Sequence, residues 1–386
     1  MAPTRWADPL SYLPHSHNST STSLYRAPRP ARGRGRSAVP GQGGHRYRRV
    51  RGGTRPPSPP PLPTREPRPA AASFAAAGLP QRLVAALAER DITEPFPVQA
   101  ATLPDALAGE NVLGRARTGS GKTLAFGLPL LARLAALAAG PAGGPARPRR
   151  PRGLILVPTR ELAQQVNDAL DPLARALRLR MAHVYGGTSI TRQVGALARG
   201  VDLVVATPGR LADLVERDAC RLGEVEVTVL DEADYMCDLG FLPGVRDLLD
   251  MTPPTGQRLL FSATLDREVE VLVRDYLPDP VLVAVDPEVS EPGTLVRHVL
   301  EAADRDARFA LVAALARGAG RTLVFVRTQV DADEVGGALP GAGGPARALH
   351  GGMPQRARSR ALDGFARGFH RVLVATDVAA RGLDVD

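Results

Sequence analysis

One lysine stands among the 49 Lys and Arg residues of this 386-residue chain, and it is residue 122. It lies in Ala116-Arg117-Thr118-Gly119-Ser120-Gly121-Lys122-Thr123, which fits the glycine-rich pattern whose backbone amides cradle phosphates while a lysine reaches the outer phosphate oxygens. A compact ammonium and a planar guanidinium are not interchangeable between phosphate oxygens in a tight backbone loop. An arginine-biased sequence that keeps a lysine here therefore points at a nucleotide site. Thr118, Gly119, Ser120, Gly121, Lys122 and Thr123 are the expected phosphate contacts, with the Thr123 hydroxyl also suited to Mg2+. A second signal is Val229-Leu230-Asp231-Glu232-Ala233-Asp234, where acids follow an apolar run. Asp231 can hold Mg2+ and Glu232 can orient and deprotonate a water, so Lys122, Asp231 and Glu232 form the expected catalytic set for phosphoryl transfer.

Other reactive side chains carry less. Cys237, three positions past Asp234, reads as a small packing residue with no histidine beside it in sequence. His183, His298 and His350 lack ligand spacing, so no zinc site is expected. Two cysteines without a disulfide framework fit a reducing interior, and a cytoplasmic location is expected.

The elements that must position these residues alternate in type. Leu79 to Arg90 has an amphipathic helical pattern, with Leu79, Leu83, Ala86 and Leu87 on one face. Apolar runs of the buried parallel-strand kind occur at 111–114, 153–157, 202–206, 226–230 and 258–261, with helical segments at 161–177 and 209–216 between them. A second series begins near Arg297, with helices at 307–317, 331–339 and 355–364 and strands at 322–326, 347–349 and 371–375. Such alternation predicts an α/β protein of two doubly wound parallel-sheet domains, with ligands at the carboxyl ends of the strands. Gly140 to Arg152 reads as a surface loop. The apolar run Leu124 to Ala139, broken by Pro129 and Arg133, is expected to be too short for a bilayer.

Charge separates a further region. The chain carries a net charge of +9, and residues 1–70 hold 13 arginines against Asp8 and Glu66, so residues 71–386 are close to neutral. The basic segment is rich in Pro, Gly, Ser and Arg, and the expected organisation is a disordered tail (1–70), a first domain (71–280), a connector (281–295) and a second, partial domain (296–386). The tail could grip RNA through arginine and stack bases on Tyr25 and Tyr47, or could be a solvated extension.

From Phe74 to Asp386 the chain resembles the DEAD-box ATP-dependent RNA helicases of superfamily 2, with motifs in the family's order. Phe74 and Ile92-Thr93-Glu94-Pro95-Phe96-Pro97-Val98-Gln99 resemble the adenine-reading motif. The resemblance implies that Gln99 bonds the adenine edge and Phe74 stacks on its face. Ile92 and Phe96 depart from the aromatic and the threonine common there. Pro158-Thr159-Arg160-Glu161-Leu162-Ala163, Gly186-Gly187 and Thr207-Pro208-Gly209-Arg210 resemble segments that hold the RNA backbone. The resemblance thus assigns Pro158, Arg160, Gly187, Thr207, Gly209 and Arg210 to RNA. It likewise assigns Arg327 and Thr328 of Phe325-Val326-Arg327-Thr328, then Gln355 and Arg358, and Thr376 in the segment from Ala375 to Asp384. Gly382 and Asp384 would face the nucleotide. Ser262-Ala263-Thr264 resembles the motif that couples nucleotide to RNA, by hydroxyl bonding to Asp234.

The implied fold is two RecA-like domains, the second incomplete, and the implied activity is RNA unwinding driven by ATP with Mg2+. RNA-processing or ribosome-associated proteins are the expected partners of a monomer. Family members continue into a further arginine-bearing motif, whereas this sequence stops two residues after Asp384. Weak turnover is therefore expected of these residues alone, and the alternative is a form that binds nucleotide and RNA with little hydrolysis or unwinding.

Overall fold

Every strand paired in the two sheets runs parallel to its neighbours, as expected of apolar runs alternating with helices. The computed structural model describes residues 62–140, 144–285, 298–318, 320–339 and 346–376, with only the backbone described at Gln355. The first lobe comprises α1 (Gln81–Ala88), α2 (Pro97–Leu107), β1 (Val112–Arg115), α3 (Lys122–Ala139), β2 (Gly153–Leu156), α4 (Arg160–Ala176), β3 (Met181–Val184) and α5 (Ile190–Ala198). It continues through β4 (Leu203–Ala206), α6 (Pro208–Glu216), β5 (Val227–Leu230), α7 (Ala233–Asp238), α8 (Leu242–Asp250), β6 (Gln257–Ser262), α9 (Arg267–Tyr276) and β7 (Val281–Ala284). The second lobe holds α10 (Arg305–Ala316), β8 (Thr322–Val326), α11 (Gln329–Ala338), β9 (Ala346–Leu349), α12 (Gln355–Ala366) and β10 (Val372–Thr376).

The first sheet has the order β3-β4-β2-β5-β6-β1-β7 and the second β8-β10-β9. Strands β2, β4, β5 and β6 are buried along their whole length, and apolar clusters cover both faces of the first sheet. One cluster gathers Phe74, Leu83, Phe126, Leu170 and Phe261; the other gathers Leu154, Leu211, Met236, Leu248 and Leu272. Burial of Leu79, Leu83, Ala86 and Leu87 matches the face read for α1. In the second lobe β10 is buried throughout, while the neighbouring edge strand β8 leaves Leu323 and Phe325 exposed.

Several boundaries differ from the sequence reading. The tail does not run to residue 70: Arg65 donates its N–H to the Pro280 carbonyl (2.9 Å), accepts from Leu282 (3.0 Å) and pairs with Glu110 (2.6 Å). Backbone pairing and ion pairs thus hold part of a segment whose composition promised no order; residues 1–61, the rest of that tail, lie outside the described residues. Nor does the connector begin at 281, because Val281–Ala284 is β7 and pairs with β1. Its remainder, 286–295, lies outside the described residues. Helix α3, at 18 residues, is long and apolar enough by length and composition to cross a membrane, contrary to the reading of that run as too short. It is instead a core helix, contributing Phe126, Leu128, Leu130, Leu131 and Leu134 to the apolar interior.

Candidate nucleotide and RNA site

Strand β1 delivers the chain to the phosphate loop and α3 carries it away, so the helix's unpaired N–H groups open where the loop closes. Gly119 and Gly121 have φ of +81° and +88°, the left-handed conformation that glycine adopts without a steric cost. Beneath the loop, Gly114 lies against the Phe261 ring of β6, with no room for a β-carbon.

Lys122 is the first residue of α3 and only 5% exposed. Its Nζ lies 2.6 Å from Oε1 of Glu232, and Thr118 donates to the same oxygen at 3.0 Å. Glu232 lies two residues past the end of β5 and has φ of +53°, which is uncommon for a residue with a side chain and marks a strained turn of the kind that collects at functional sites. The turn aims its carboxylate back at the phosphate loop. Asp231 is buried, and its Oδ1 accepts the Glu232 N–H at 3.0 Å. Burial pushes its carboxyl up to about 7, while the Lys122 ammonium pulls the other way. The expected catalytic residues Lys122, Asp231 and Glu232 thus lie together where the end of β5 meets the start of α3. Carboxylate and hydroxyl oxygens, as on Asp231 and Thr123, are hard donors of the kind Mg2+ takes together with phosphate oxygens and water.

The coupling residues also meet. Thr264 donates both its N–H (3.0 Å) and its hydroxyl (2.9 Å) to Oδ2 of Asp234, whose own N–H donates to Ser262 Oγ (3.2 Å). The end of β6 is thereby tied to the first turn of α7. Cys237 on that helix is buried and its thiol is pushed up to about 12, chiefly by burial, which fits packing rather than chemistry.

The aromatic expected to stack on the base is placed differently from expectation. Phe74 is 2% exposed and its ring is part of the first lobe's core, because the amphipathic helix α1 and its neighbours close over it. It presents no face to a base. Gln99 is also 2% exposed; its Oε1 accepts the Phe96 N–H (3.0 Å) and its Nε2 donates to the Gly121 carbonyl (3.1 Å). The carboxamide braces the start of α2 against the phosphate loop.

Segments expected to hold RNA cluster at the carboxyl ends of β2, β3 and β4. Thr159 caps α4 by accepting the Leu162 N–H. The Arg160 guanidinium lies along Gly186 and Gly187, 3.1 Å from where a β-carbon on Gly186 would be. Gly187 and Gly209 are exposed, Thr207 and Arg210 are half-buried, and Pro158 is buried. Sequence reasoning missed Gln193, which is buried and donates to the Tyr185 carbonyl (3.0 Å) and Thr188 Oγ1 (2.6 Å) while accepting from Arg210 (3.3 Å). It fastens the glycine loop to α6. A lone glutamine six residues past Gly187 gave no local signal.

In the second lobe Arg327 is exposed at the end of β8. Thr328, assigned to RNA, spends its hydroxyl capping α11: it accepts the Asp331 N–H (3.1 Å) and donates to Asp331 Oδ2 (2.6 Å). Arg358, also assigned to RNA, is buried, with Nε 2.9 Å from Oε1 of the buried Glu161 of α4. It pairs across the lobes instead of facing a ligand, because a buried guanidinium needs a countercharge. Thr376 ends β10 and is buried. The side chain of Gln355, and all of Gly382 and Asp384, lie outside the described residues. His350 lies 3.0 Å from Asp333 across a β9–α11 contact.

Comparison with known proteins agrees with this arrangement. Residues 96–272 match the DEAD/DEAH box helicase family model and residues 307–386 match the helicase conserved C-terminal domain. The chain is 45% identical over 318 residues to a DEAD-box ATP-dependent RNA helicase 3A, chloroplastic, of Zea mays, covering 81% of this chain and 42% of that protein. It is 38% identical to the RNA helicase CrhR of Synechocystis, covering 81% and 62%; the chain thus spans only part of these relatives. Among solved structures it resembles a DEAD box protein from the hyperthermophile Methanococcus jannaschii (31% identity, TM-score 0.50, covering 82% and 83%). It also resembles S. cerevisiae Dbp5 bound to RNA and ADP BeF3 (26% identity, TM-score 0.68, covering 82% and 78%).

Proposed function

The chain belongs to the DEAD-box helicase family, and from that premise we propose that it acts as an ATP- and Mg2+-dependent RNA helicase that separates short duplexes. The observation that carries the reading is the buried Lys122–Glu232 contact at 2.6 Å, which joins the phosphate loop to the acidic segment in one wall. When a triphosphate enters, Lys122 exchanges Glu232 for phosphate oxygens, and the released Glu232 is free to orient and deprotonate water. Asp231 and Thr123 would hold Mg2+, which supplies charge neutralisation at the phosphate oxygens.

Single-stranded RNA would lie along Arg160, Gly187, Thr207, Gly209 and Arg210, groups that grip a backbone without reading bases. The Asp234–Ser262–Thr264 bonds support coupling between the two ligands, since a shift of β6 at one must move α7 at the other. Named relatives support RNA as the partner; RNA-processing or ribosome-associated proteins, a monomeric state and a cytoplasmic location are proposals that rest on sequence.

The test is binding of ATP with Mg2+ and of single-stranded RNA, with strand separation of a short duplex as the readout of work. Lys122→Ala is expected to weaken nucleotide binding at least a hundredfold while leaving nucleotide-free RNA binding in place. Retained nucleotide affinity in that variant would overturn the assignment.

A further inference from the structure

The described part of the loop before β2, residues 144–152, carries Arg147, Arg149, Arg150 and Arg152, and its backbone is fastened to the first lobe. The Arg149 N–H donates to the Leu197 carbonyl (2.8 Å), the Arg149 carbonyl accepts from Arg221 (2.7 Å), and the Arg152 N–H donates to the Asp202 carbonyl (3.0 Å). Gly200 admits the loop, since a β-carbon there would collide with the Ala146 carbonyl. The loop closes one side of a cleft of about 860 Å3 at the amino ends of β2, β5 and β6, the end of the sheet opposite the phosphate loop. Arg133 of α3, Arg147, Arg150 and Arg152 line it together with Glu224 and Glu226.

Charge along this row is under-compensated. Arg147 (3.1 Å) and Arg150 (2.6 Å) donate to the same Oε1 of Glu224. Just outside the cleft, Arg149 (3.5 Å) and Arg221 (2.6 Å) likewise divide the one carboxylate of Asp218. Four guanidiniums thus face two carboxylates, on a backbone that holds them in place. Arginine forks with donors to spare suit phosphate oxygens, which they take bidentately. A row that continues past the cleft suits a chain of phosphates better than one small anion. We propose, on the reading above that the chain binds RNA, that this cleft and its rim are a second RNA site, which grips the phosphate backbone at the end of the sheet remote from Arg160, Gly187 and Arg210. Phosphate contacts carry no sequence information, so the site holds RNA of any sequence whether or not nucleotide is bound.

The experiment measures binding of a fluorescent single-stranded RNA to the nucleotide-free full chain from about 50 to 200 mM salt. Arg147→Gln combined with Arg150→Gln should weaken binding at least about fivefold at the lowest salt. The salt slope should fall by about 1.4, because each phosphate contact on a single strand contributes about 0.7. Arg147→Lys with Arg150→Lys should keep the slope, and Glu224→Gln should tighten binding by freeing both guanidiniums. The two arginine side chains are 68% and 42% exposed, so unaltered thermal unfolding of the double Gln variant separates a lost contact from a lost fold. Should that variant unfold early, Glu224→Gln decides, and no gain in affinity there overturns the proposal. Unchanged affinity and slope in a folded double Gln variant overturn it while leaving the RNA reading intact, whereas a parent chain that binds no RNA removes both. Inorganic tripolyphosphate is the competing occupant: if the double Gln variant loses it yet holds RNA as before, the cleft belongs to a small anion and the proposal falls.

Discussion

In the proposed cycle Lys122 must leave Glu232 for phosphate, and that exchange has a measurable cost. The ammonium and carboxylate are both buried and only 2.6 Å apart, so incoming phosphate must displace a charge-assisted hydrogen bond before it can make its own. Replacing Glu232 with Gln removes the competing charge. Glu232→Gln is therefore expected to bind nucleotide about tenfold more tightly, equivalent to about 1.4 kcal/mol, while losing hydrolysis; fluorescence titration and phosphate release check the two halves. Lys122→Arg should bind nucleotide poorly despite keeping the charge, since the guanidinium fork does not fit where the ammonium sits. At this scale the sequence was most legible where chemistry demands a type, as in a lysine kept among arginines. It was least legible for the aromatics. Nothing in composition separates Phe74, buried under α1, from Phe96, held out at the start of α2, because burial is decided by which elements close over a ring.

At the scale of elements, the close approach of β1 to β6 sets the floor of the phosphate loop. Gly114 pairs with Phe261 in register, and the ring occupies the space a β-carbon would need. Phe261 in turn packs on Phe126 with ring centroids 5.5 Å apart, so it has little freedom to yield. Gly114→Ala is expected to lower stability by about 1–3 kcal/mol through overpacking, read as a fall in the thermal midpoint, and to loosen nucleotide binding because α3 begins on this floor. The other informative joint is the tie from β6 to α7. Asp234→Ala removes an acceptor of two Thr264 hydrogen bonds, so nucleotide binding should persist while stimulation of hydrolysis by RNA falls; equal stimulation in variant and parent would refute a coupling role. Strands buried on both faces, such as β2 and β5, were readable as apolar runs. Two edge strands were not. In β3 burial alternates and includes the half-exposed His183, and β7 sits beside Pro278 and Pro280 and gains its order from pairing with β1 and Arg65.

At the scale of the whole molecule, one contact between the lobes is announced by neither lobe's sequence. Glu161 begins α4 in the first lobe and Arg358 lies on α12 in the second, both buried, and their charges meet at 2.9 Å. Each sits inside a segment whose resemblance assigns it to RNA. An ion pair thus joins the lobes beside the segments proposed to hold RNA. A buried pair adds little net stability over an apolar contact, but removing one partner leaves the other charge buried with less compensation, which typically costs up to about 3–5 kcal/mol. Glu161→Ala and Arg358→Ala should therefore each weaken RNA binding in the presence of nucleotide, and the double variant should lose much less than the sum. A double-mutant cycle on RNA affinity is expected to return a coupling of about 0.5–3 kcal/mol, with nucleotide-free RNA binding to the first lobe's exposed Gly187 and Gly209 little changed. Additive losses would mean that the two residues act separately, and the lobes would then need another contact to bring the ends of β2 and β10 to one strand of RNA. The physical reason to expect coupling is that neither charge has water to fall back on: with Arg358 and Glu161 each less than 10% exposed, separation of the lobes must rehydrate both, and closure must desolvate both at once.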